Sequence, residues 1–260
     1  MKITLLDNKQ WDINELKEKA YDDEFYYGYL GKYALSSTSI KHLLSSPKTY
    51  YNILQYGSQQ SQALRDGWLF HTCVLEPHVF EEQIFVNVQS KNTKKYKEMS
   101  DGEICLLQHE VDKIELMTEA IMDNKICGSL IMGTDGKLND FEVPGVTEIF
   151  GNKWKGKADI INHNEQLVID LKTTSDIDRF RWSASKFNYD SQAYIYSNLF
   201  GYEMLFMVID KETHQIGLFD CSPDFYKSGE EKVRKATDAY DLFYKTEDFD
   251  SKQYLITKTL

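Results

Sequence analysis

An acidic and a basic residue stand two positions apart in a run that otherwise has the composition of a buried β-strand. The run is LVIDLKTT, residues 167–174, with Asp170 and Lys172 in places where Val or Ile would be ordinary. Side chains alternate across a strand, so these two point to the same face, roughly 6–7 Å apart. Burying either charge alone costs free energy, so we expect both to lie in a cleft with groups that compensate them.

Three successive antiparallel strands are predicted around this run. The segments GVTEIFG, WKGKADIIN and QLVIDLKTT each alternate apolar and polar residues. Gly151-Asn152 and the polar residues 162–165 supply turns between them. The sequence therefore predicts a small sheet in which the run of Asp170 and Lys172 is the third strand.

Three carboxylates then converge on one face of the predicted sheet. With the second turn taken as a four-residue hairpin loop, Asp159 lies on the face of Asp170, and the alternation continues back through Lys157 and Lys155. Across the first turn the same alternation places Glu148 on this face. Three carboxylates on one face repel one another unless a cation lies among them, and oxygen ligands favour Mg²⁺, Mn²⁺ or Ca²⁺ over zinc. The alternative is a ladder of surface ion pairs on an exposed sheet face.

Helices are predicted on both sides of these strands along the chain. Helical spacing predicts helices in LSSTSIKHLLSSPKTYYNIL, interrupted at Pro47, in SQALRDGWLFHTCVLEP, ending at Pro77, and in GEICLLQHEVDKIELMTEAIMDN. RFRWSASKFNYDSQAYIYSNLF predicts a helix broken near Asn188, followed by strands EMLFMVIDK and QIGLFDCS and a helix from about Pro223 to Lys245. This order predicts an α/β or α+β core flanked by helices.

The composition is that of an ordinary globular protein. The chain has 260 residues, 42% of them hydrophobic, four prolines and no Pro/Gly/Ser-rich linker, which predicts one large domain. No stretch reaches the ~20 apolar residues of a membrane span, and the N-terminus lacks a signal-peptide pattern, so we expect a cytoplasmic protein with no membrane partner. The net charge of −11 lowers the expectation of a nucleic-acid partner without excluding it, because acidic residues can lie outside a basic groove.

Two kinds of cofactor or nucleotide site are excluded. The four cysteines form no CxxC pair, which argues against a zinc ribbon and an iron–sulfur cluster: they are Cys73, Cys105, Cys127 and Cys221. The run GNKWKGKA, residues 151–158, mimics a phosphate-binding loop, but Ala158 replaces the Ser or Thr that would hold magnesium. Since the run also crosses a predicted hairpin instead of joining a strand to a helix, an ATPase is excluded.

Five motifs in order resemble the PD-(D/E)xK nuclease superfamily, in particular its RecB-like branch. Along the chain they are GWLFH from Gly67 to His71, Glu148, GKAD ending in Asp159, DLK at Asp170–Lys172, and the helix face of Tyr189, Gln192 and Tyr196 in YDSQAYIY. LSSTSIKHLLSSPKTYY, HTCVLEP and DLKTT are also similar to the nuclease domain of phage exonuclease VIII (RecE-type), related in fold to lambda exonuclease. The resemblance runs from about Leu35 to Tyr196. The sequence departs from the family pattern in two ways. Asp159 follows Ala158, where the family has proline. Only Cys221 follows the core, so no iron–sulfur cluster is expected.

The resemblance implies a fold and an activity. The fold would be a restriction-endonuclease-like α/β core, a central mixed sheet of about five strands flanked by helices, with an N-terminal helical region. The domain would be single, with a mostly helical part at 35–125, the catalytic sheet and helix at 140–221, and a C-terminal helix and tail at 223–260. The activity would be Mg²⁺-dependent exonuclease cleavage of linear duplex DNA, with Mn²⁺ as an alternative ion. A 5′→3′ polarity, a homo-oligomeric ring, and 3′ single strands for a recombinase or a single-strand annealing partner are further implications.

The same resemblance assigns roles to particular residues. The expected catalytic residues are Lys172, Asp170, Asp159, Glu148 and Gln192. The expected metal ligands are His71, Glu148, Asp159, Asp170 and the Leu171 carbonyl. The expected DNA contacts on the helix are Tyr189, Gln192 and Tyr196. Apart from the resemblance, the charges of Lys153, Lys155 and Lys157 suit contacts to a DNA backbone or simply solubilise the strand. The basic run KNTKKYK at 91–97 is a second candidate for phosphate contacts or a solvated charge run.

Several alternatives stay open at this point. Lys172 can act as a base or as an electrostatic stabiliser, and Tyr196 can equally serve in packing. The enzyme can be another nuclease of the superfamily, either an endonuclease or a 3′→5′ enzyme. A DNA-binding protein with the same fold and no catalysis is the alternative from a different class.

Overall fold

The described part of the chain alternates short helices and strands in its N-terminal half and forms longer strands in its C-terminal half. The computed structural model describes residues 2–57, 61–83, 85–100, 106–133, 139–245, 250, 254–257 and 259. The strands are β1 Lys2–Thr4, β2 Gln10–Asp12, β3 Phe85–Val86, β4 Leu106–Leu107, β5 Asp140–Ile149, β6 Asn152–Asn162, β7 Leu167–Thr174, β8 Glu203–Asp210 and β9 Ile216–Asp220. The α-helices are α1 Ile13–Lys19, α2 Leu30–Tyr33, α3 Ser37–Ser45, α4 Pro47–Tyr56, α5 Gln62–Leu75, α6 Pro77–Glu81, α7 Lys94–Ser100, α8 Gln108–Asp123, α9 Lys125–Met132, α10 Phe180–Lys186, α11 Tyr189–Phe200 and α12 Pro223–Tyr244. A π-helix spans Glu24–Tyr29.

A mixed sheet in the order β5-β6-β7-β8-β9 forms the centre of the fold. The pairs β5-β6, β6-β7 and β8-β9 are antiparallel, and β7 and β8 are parallel. A parallel pair needs a crossover connection, which α10 and α11 supply. The expected α/β architecture, with a mixed sheet of about five strands flanked by helices, is confirmed.

Apolar layers cover both faces of the sheet. Val168 belongs to a cluster with residues of α11 and α12, whereas Ile169 and Leu171 belong to a cluster with residues of α5 and α8. Alternate residues of β7 thus face opposite layers, as in a strand buried on both sides. Asp170 and Lys172 share the parity of Val168, so they face the α11 layer.

Helix ends follow the capping signals of the sequence. Ser36 and Ser39 form a capping box at the start of α3, and Pro47 is the first residue of α4. The expected break near Asn188 separates α10 from α11, and Asn188 has a left-handed φ of 61°. The long helix predicted from residue 102 begins at Gln108, and residues 102–105, with Cys105, lie outside the described residues. Within the described ranges no helix is long and apolar enough to cross a membrane.

The N-terminal segment packs against the outer end of the sheet. β1 and β2 form a hairpin that the sequence did not predict, and its apolar residues cluster with Tyr26 and with Val146 of β5. Leu35 then joins the sheet by one parallel bridge, in which its N–H donates to the Lys153 carbonyl at 2.8 Å and its carbonyl accepts from Lys155 N–H at 2.7 Å. The segment before α3 is therefore fixed on the strand that leads to Asp159.

Candidate active site

Ile160 pairs with Ile169 in the hairpin between β6 and β7, two residues out of the expected register. A shift of two alone would keep side chains on their expected faces, but the alternation of β6 is broken at Asp159, since Ala158 packs in the cluster of α11 and Ile160 in the cluster of α5. This is the last pair of the ladder, and the next residues on the two strands are Asp159 and Asp170. Both carboxylates therefore lie where the strands separate.

Asp159 is held by the neighbouring strand and by a helix. It is 8% exposed, and its Oδ2 accepts a hydrogen bond from the Leu171 N–H at 2.7 Å. The same oxygen lies 3.2 Å from Nδ1 of His71 on α5. The second ring nitrogen, Nε2, lies 2.6 Å from the Leu171 carbonyl oxygen, and since a carbonyl only accepts, this nitrogen carries a proton. His71 thus connects Asp159 to the strand of Asp170.

Asp170 is hydrogen-bonded to a side chain of α11. It is 2% exposed, and its Oδ1 accepts a hydrogen bond from Nε2 of Gln192 at 2.6 Å. Its Oδ2 forms an ion pair with the ammonium of Lys172. The ammonium also lies 5.1 Å from the ring centre of Tyr189, at the start of α11. The acid and the base of the LVIDLKTT run are therefore in contact with each other and with one helix.

Burial and like charge set the protonation of this cluster. Burial would raise the pKa of Asp159, but the neighbouring His71 and Lys172 hold it below its ordinary value. Burial raises the pKa of Asp170 overall, despite Lys172, and the Asp159 carboxylate adds to the rise. Burial would lower the pKa values of Lys172 and His71, but the carboxylates raise both. The two buried carboxylates are therefore in a position where an added cation would be stabilising.

Glu142 belongs to the cluster and was missed by sequence reasoning. The ladder of β5 and β6 pairs Phe141 with Ile160 and Val143 with Ala158, and is interrupted between these pairs, at Glu142. Glu142 has a left-handed φ of 50°, which is rare for a residue with a side chain. Burial, then the nearby Asp159 carboxylate, raise its pKa to about 7. Glu142 was missed because the predicted strand began at Gly145, whereas β5 extends back to Asp140 and includes Glu142.

Glu148 does not lie with the other carboxylates. It pairs with Lys153 at the turn end of β5 and β6, and 57% of its side chain is exposed. Six residues separate it from Glu142, about 20 Å along a strand. The expected convergence of Glu148 with Asp159 and Asp170 is wrong, because same-face parity does not shorten the distance along the strand.

Lys155 and Lys157 face away from α11. Gly156, which lies between them, packs so closely against the Tyr196 ring that a Cβ at this position would clash with it. Lys155 is 6% exposed, and its ammonium donates to the Tyr26 carbonyl at 2.5 Å. The expectation that this lysine shares the Asp170 face and contacts DNA is wrong, because its charge is buried under the N-terminal segment.

Lys157 lies at the edge of the cluster. Its ammonium is 2.5 Å from an Asp23 oxygen and 3.6 Å from a Glu142 oxygen. The ring centre of Tyr27 is 5.6 Å away. Lys153, by contrast, stays with Glu148 at the far turn, outside the cluster.

The predicted face of α11 does point at the sheet. Gln192 is buried on Asp170, and the hydroxyl of Tyr196, a residue 7% exposed, donates to the Lys157 carbonyl at 3.0 Å. Tyr196 therefore serves in packing, the alternative that its spacing left open. Tyr189 is half-buried and lies beside the Lys172 ammonium. In the KNTKKYK run, Lys91 pairs with Glu110 of α8 and Lys94 with Glu98.

The donor atoms fit a divalent cation in type. Among the residues that the structure describes, no three His, Cys, Asp or Glu side chains form a ready set of metal ligands. The cluster nevertheless brings oxygen donors of Asp159, Asp170, Glu142 and Leu171 to one imidazole, and such ligands suit Mg²⁺ or Mn²⁺. Asp159 and Asp170 are both buried, so a cation among them would relieve the repulsion between their carboxylates.

Residues 36–252 match the family described as PDDEXK-like domain of unknown function (DUF3799). The chain belongs to this family. The PD-(D/E)xK resemblance inferred from the sequence is thereby confirmed, and nucleases of this kind generally use divalent metals. No curated protein matches this PDDEXK-like protein.

Two solved structures are similar to the PDDEXK-like protein. A candidate exonuclease from Eubacterium rectale is 15% identical, with a TM-score of 0.64 over 92% of this chain and 95% of that one. At this identity the likeness shows a shared fold. A phage-related exonuclease from Haemophilus somnus 129PT is 16% identical over 80% of this chain and 94% of that one, with a TM-score of 0.34.

Proposed function

We propose that this PDDEXK-like protein is a metal-dependent DNA exonuclease that hydrolyses phosphodiester bonds at the ends of linear duplexes. The observation that carries the proposal is a buried cluster in which Asp170 pairs with Lys172 and is held by Gln192, while the neighbouring Asp159 is held by His71. An ion-pair ladder on an exposed face would not bury two carboxylates and connect them to two helices. The family membership supports a nuclease, and the fold shared with the candidate exonuclease from Eubacterium rectale supports the exonuclease form.

The proposed metal ligands are Asp159, Asp170, Glu142, His71 and the Leu171 carbonyl. Mg²⁺ is the proposed ion, with Mn²⁺ as the alternative, because the set is mostly oxygen. Lewis-acid polarisation of the phosphodiester and a lowered pKa for a water molecule are what such an ion supplies when bound. Glu142 takes the place that the sequence assigned to Glu148.

The chain's own residues position and neutralise the substrate. Lys172 is the proposed stabiliser of the charge that grows on the phosphate, since its ammonium stands beside Asp170 and its side chain is 17% exposed. Gln192 and the Leu171 N–H each hold one oxygen of a carboxylate, so the two carboxylates keep their orientation. Tyr189 is a proposed DNA contact beside the ammonium.

The finer features follow the resemblance to exonuclease VIII. We propose 5′→3′ polarity, 3′ single strands as product for a recombinase or an annealing partner, and a homo-oligomeric ring around the DNA, acting in the cytoplasm as one nuclease domain. Light scattering of the purified protein, with and without a short duplex, tests the ring. A monomer under both conditions would contradict it.

The activity is tested with a linear duplex labelled at one 5′ end or one 3′ end. The digest is run with Mg²⁺, with Mn²⁺ and with chelator, beside covalently closed circles and an Asp170→Asn variant. We expect release of the 5′ label as mononucleotide with either metal, intact circles, and no cleavage with chelator or by the variant.

Other outcomes separate the alternatives. Early release of the 3′ label would overturn the polarity, and cutting of circles would show an endonuclease. No cleavage with any divalent metal, together with binding of the duplex, would favour the non-catalytic DNA-binding protein.

A further inference from the structure

Tyr27 is an exposed aromatic residue next to a buried one. Its side chain lies in the π-helix Glu24–Tyr29 and the residue is 65% exposed, whereas Tyr26 is 5% exposed. The segment precedes residues 36–252, so it lies outside the part that matches the family. A single exposed aromatic is ordinary on a protein surface, so the position of Tyr27 distinguishes it more than its exposure does.

The backbone around Tyr27 is fixed on the sheet. The Tyr26 carbonyl accepts from the Lys155 ammonium at 2.5 Å, and that ammonium lies 3.7 Å from the Tyr26 ring centre. Asp23, at the start of the π-helix, pairs with Lys157 at 2.5 Å. The rings of Tyr26 and Tyr27 meet edge to face at 5.0 Å. Three contacts on two strand lysines therefore hold Tyr27 in one place.

That place is the Glu142 side of the carboxylate cluster. The Lys157 ammonium lies 5.6 Å from the Tyr27 ring centre and 3.6 Å from a Glu142 oxygen. An exposed ring, the Lys157 ammonium and the carboxylate cluster thus follow one another at this edge of the site.

We propose that Tyr27 stacks on a base of the DNA strand being cleaved and so positions the strand end at the carboxylate cluster. A base stacked there leaves its phosphate near Lys157, and stacking tolerates any sequence because every base has a π-face. Sequence tolerance is what an enzyme that digests from an end requires. This inference rests on the proposed nuclease function and adds a binding residue to it.

The test compares Tyr27→Ala with Tyr27→Phe, which keeps the ring, and with Tyr56→Ala, which removes an 83% exposed tyrosine from α4. KM and kcat are measured on end-labelled linear duplex. Separately, a duplex with 2-aminopurine as its terminal base is bound in Ca²⁺, and its fluorescence is read before any cleavage. For Tyr27→Ala we expect KM to rise about tenfold, the size of one lost stacking contact, with kcat nearly unchanged.

The controls make the stacking role distinct from a structural one. We expect Tyr27→Phe and Tyr56→Ala to match the wild type in KM, and the 2-aminopurine of the complex to be brighter with Tyr27→Ala alone. The inference would be overturned if Tyr27→Ala kept the wild-type KM and fluorescence. It would also be overturned if KM rose as much in Tyr27→Phe as in Tyr27→Ala. A wild-type protein that cleaves no DNA would contradict the proposed function instead, while cleavage with an unchanged Tyr27→Ala would contradict only this inference.

Discussion

Nε2 of His71 and the carbonyl oxygen of Leu171 lie 2.6 Å apart, although 100 residues separate them along the chain. The other nitrogen of the same ring reaches the Asp159 carboxylate at 3.2 Å. Because Leu171 stands between Asp170 and Lys172, this one ring ties α5 to the strand that carries the acid and the base. The helix therefore sets the spacing between the two carboxylate-bearing strands where their ladder ends.

Lys172→Ala should lose cleavage and keep DNA binding. The ammonium of Lys172 is the group paired with Asp170 Oδ2, and removal of one group that stabilises developing charge typically lowers kcat by about 100-fold or more. Single-turnover cleavage in Mg²⁺ and duplex binding in Ca²⁺ measure the two effects. Lys245→Ala, at the end of α12, serves as the control and should leave both unchanged. Unchanged turnover in Lys172→Ala would remove this residue from the mechanism.

Glu142→Gln and Glu148→Gln should behave differently although both change a glutamate of β5. Glu142 lies beside Asp159 and Lys157, so its loss should lower kcat at least tenfold and weaken metal dependence. Glu148 is exposed and pairs with Lys153 at the far turn, so its loss should change kcat less than twofold. A Mg²⁺ titration of cleavage by both variants measures this. The reverse order of effects would restore the assignment made from the sequence.

Divalent metal should stabilise the protein against thermal unfolding. A cation among two buried carboxylates relieves their repulsion, and a ligand at 100 times its dissociation constant adds about 2.7 kcal/mol, roughly 5–10 °C in Tm for a chain of this size. Scanning fluorimetry in Mg²⁺, Mn²⁺ and chelator measures the shift. We expect no shift in an Asp159→Asn, Asp170→Asn double variant. An equal shift in that variant would place the metal elsewhere.

Lys155→Met should stabilise the protein at neutral and low pH. Burial lowers the pKa of Lys155 to about 7, while an unfolded lysine titrates near 10.4. The unfolded state therefore binds more protons between about pH 7 and 10, and this group makes the free energy of unfolding rise with pH by up to about 1.4 kcal/mol per unit. Below pH 7 the cost of the buried charge is fully present. The Tyr26 ring 3.7 Å from the ammonium opposes part of that cost.

Urea unfolding of the wild type and of Lys155→Met at several pH values between 6 and 10 measures this prediction. The advantage of the variant should be largest at pH 6 to 7 and should disappear toward pH 10. Lys245→Met, which changes a lysine paired on the surface, should follow the wild type at every pH. A constant difference between Lys155→Met and the wild type would show that Lys155 is not titrated in this range.

Much of the site was predictable because its signals are local. The period of two in LVIDLKTT places Asp170 and Lys172 on one face whatever the rest of the chain does, and they are in contact. The spacing of Gln192 and Tyr196 puts both on one helix face, and both face the sheet. The break at Asn188 follows from residue chemistry, since asparagine tolerates the left-handed region better than most residues.

The tertiary structure alone decided which glutamate joins the cluster and what lies at its mouth. Alternation pointed to Glu148, but Glu142 is the glutamate that lies beside Asp159. Alternation specifies the face of a side chain and leaves its distance along the strand open. In addition, the ladder is interrupted where Glu142 adopts a positive φ. Lys155 looked exposed and is buried, since the N-terminal segment folds back over the strand. Tyr27 reaches the site by that same long-range packing. Local spacing determines which side chains share an element, whereas register, strand separation and the docking of distant segments depend on contacts that no short stretch of sequence contains.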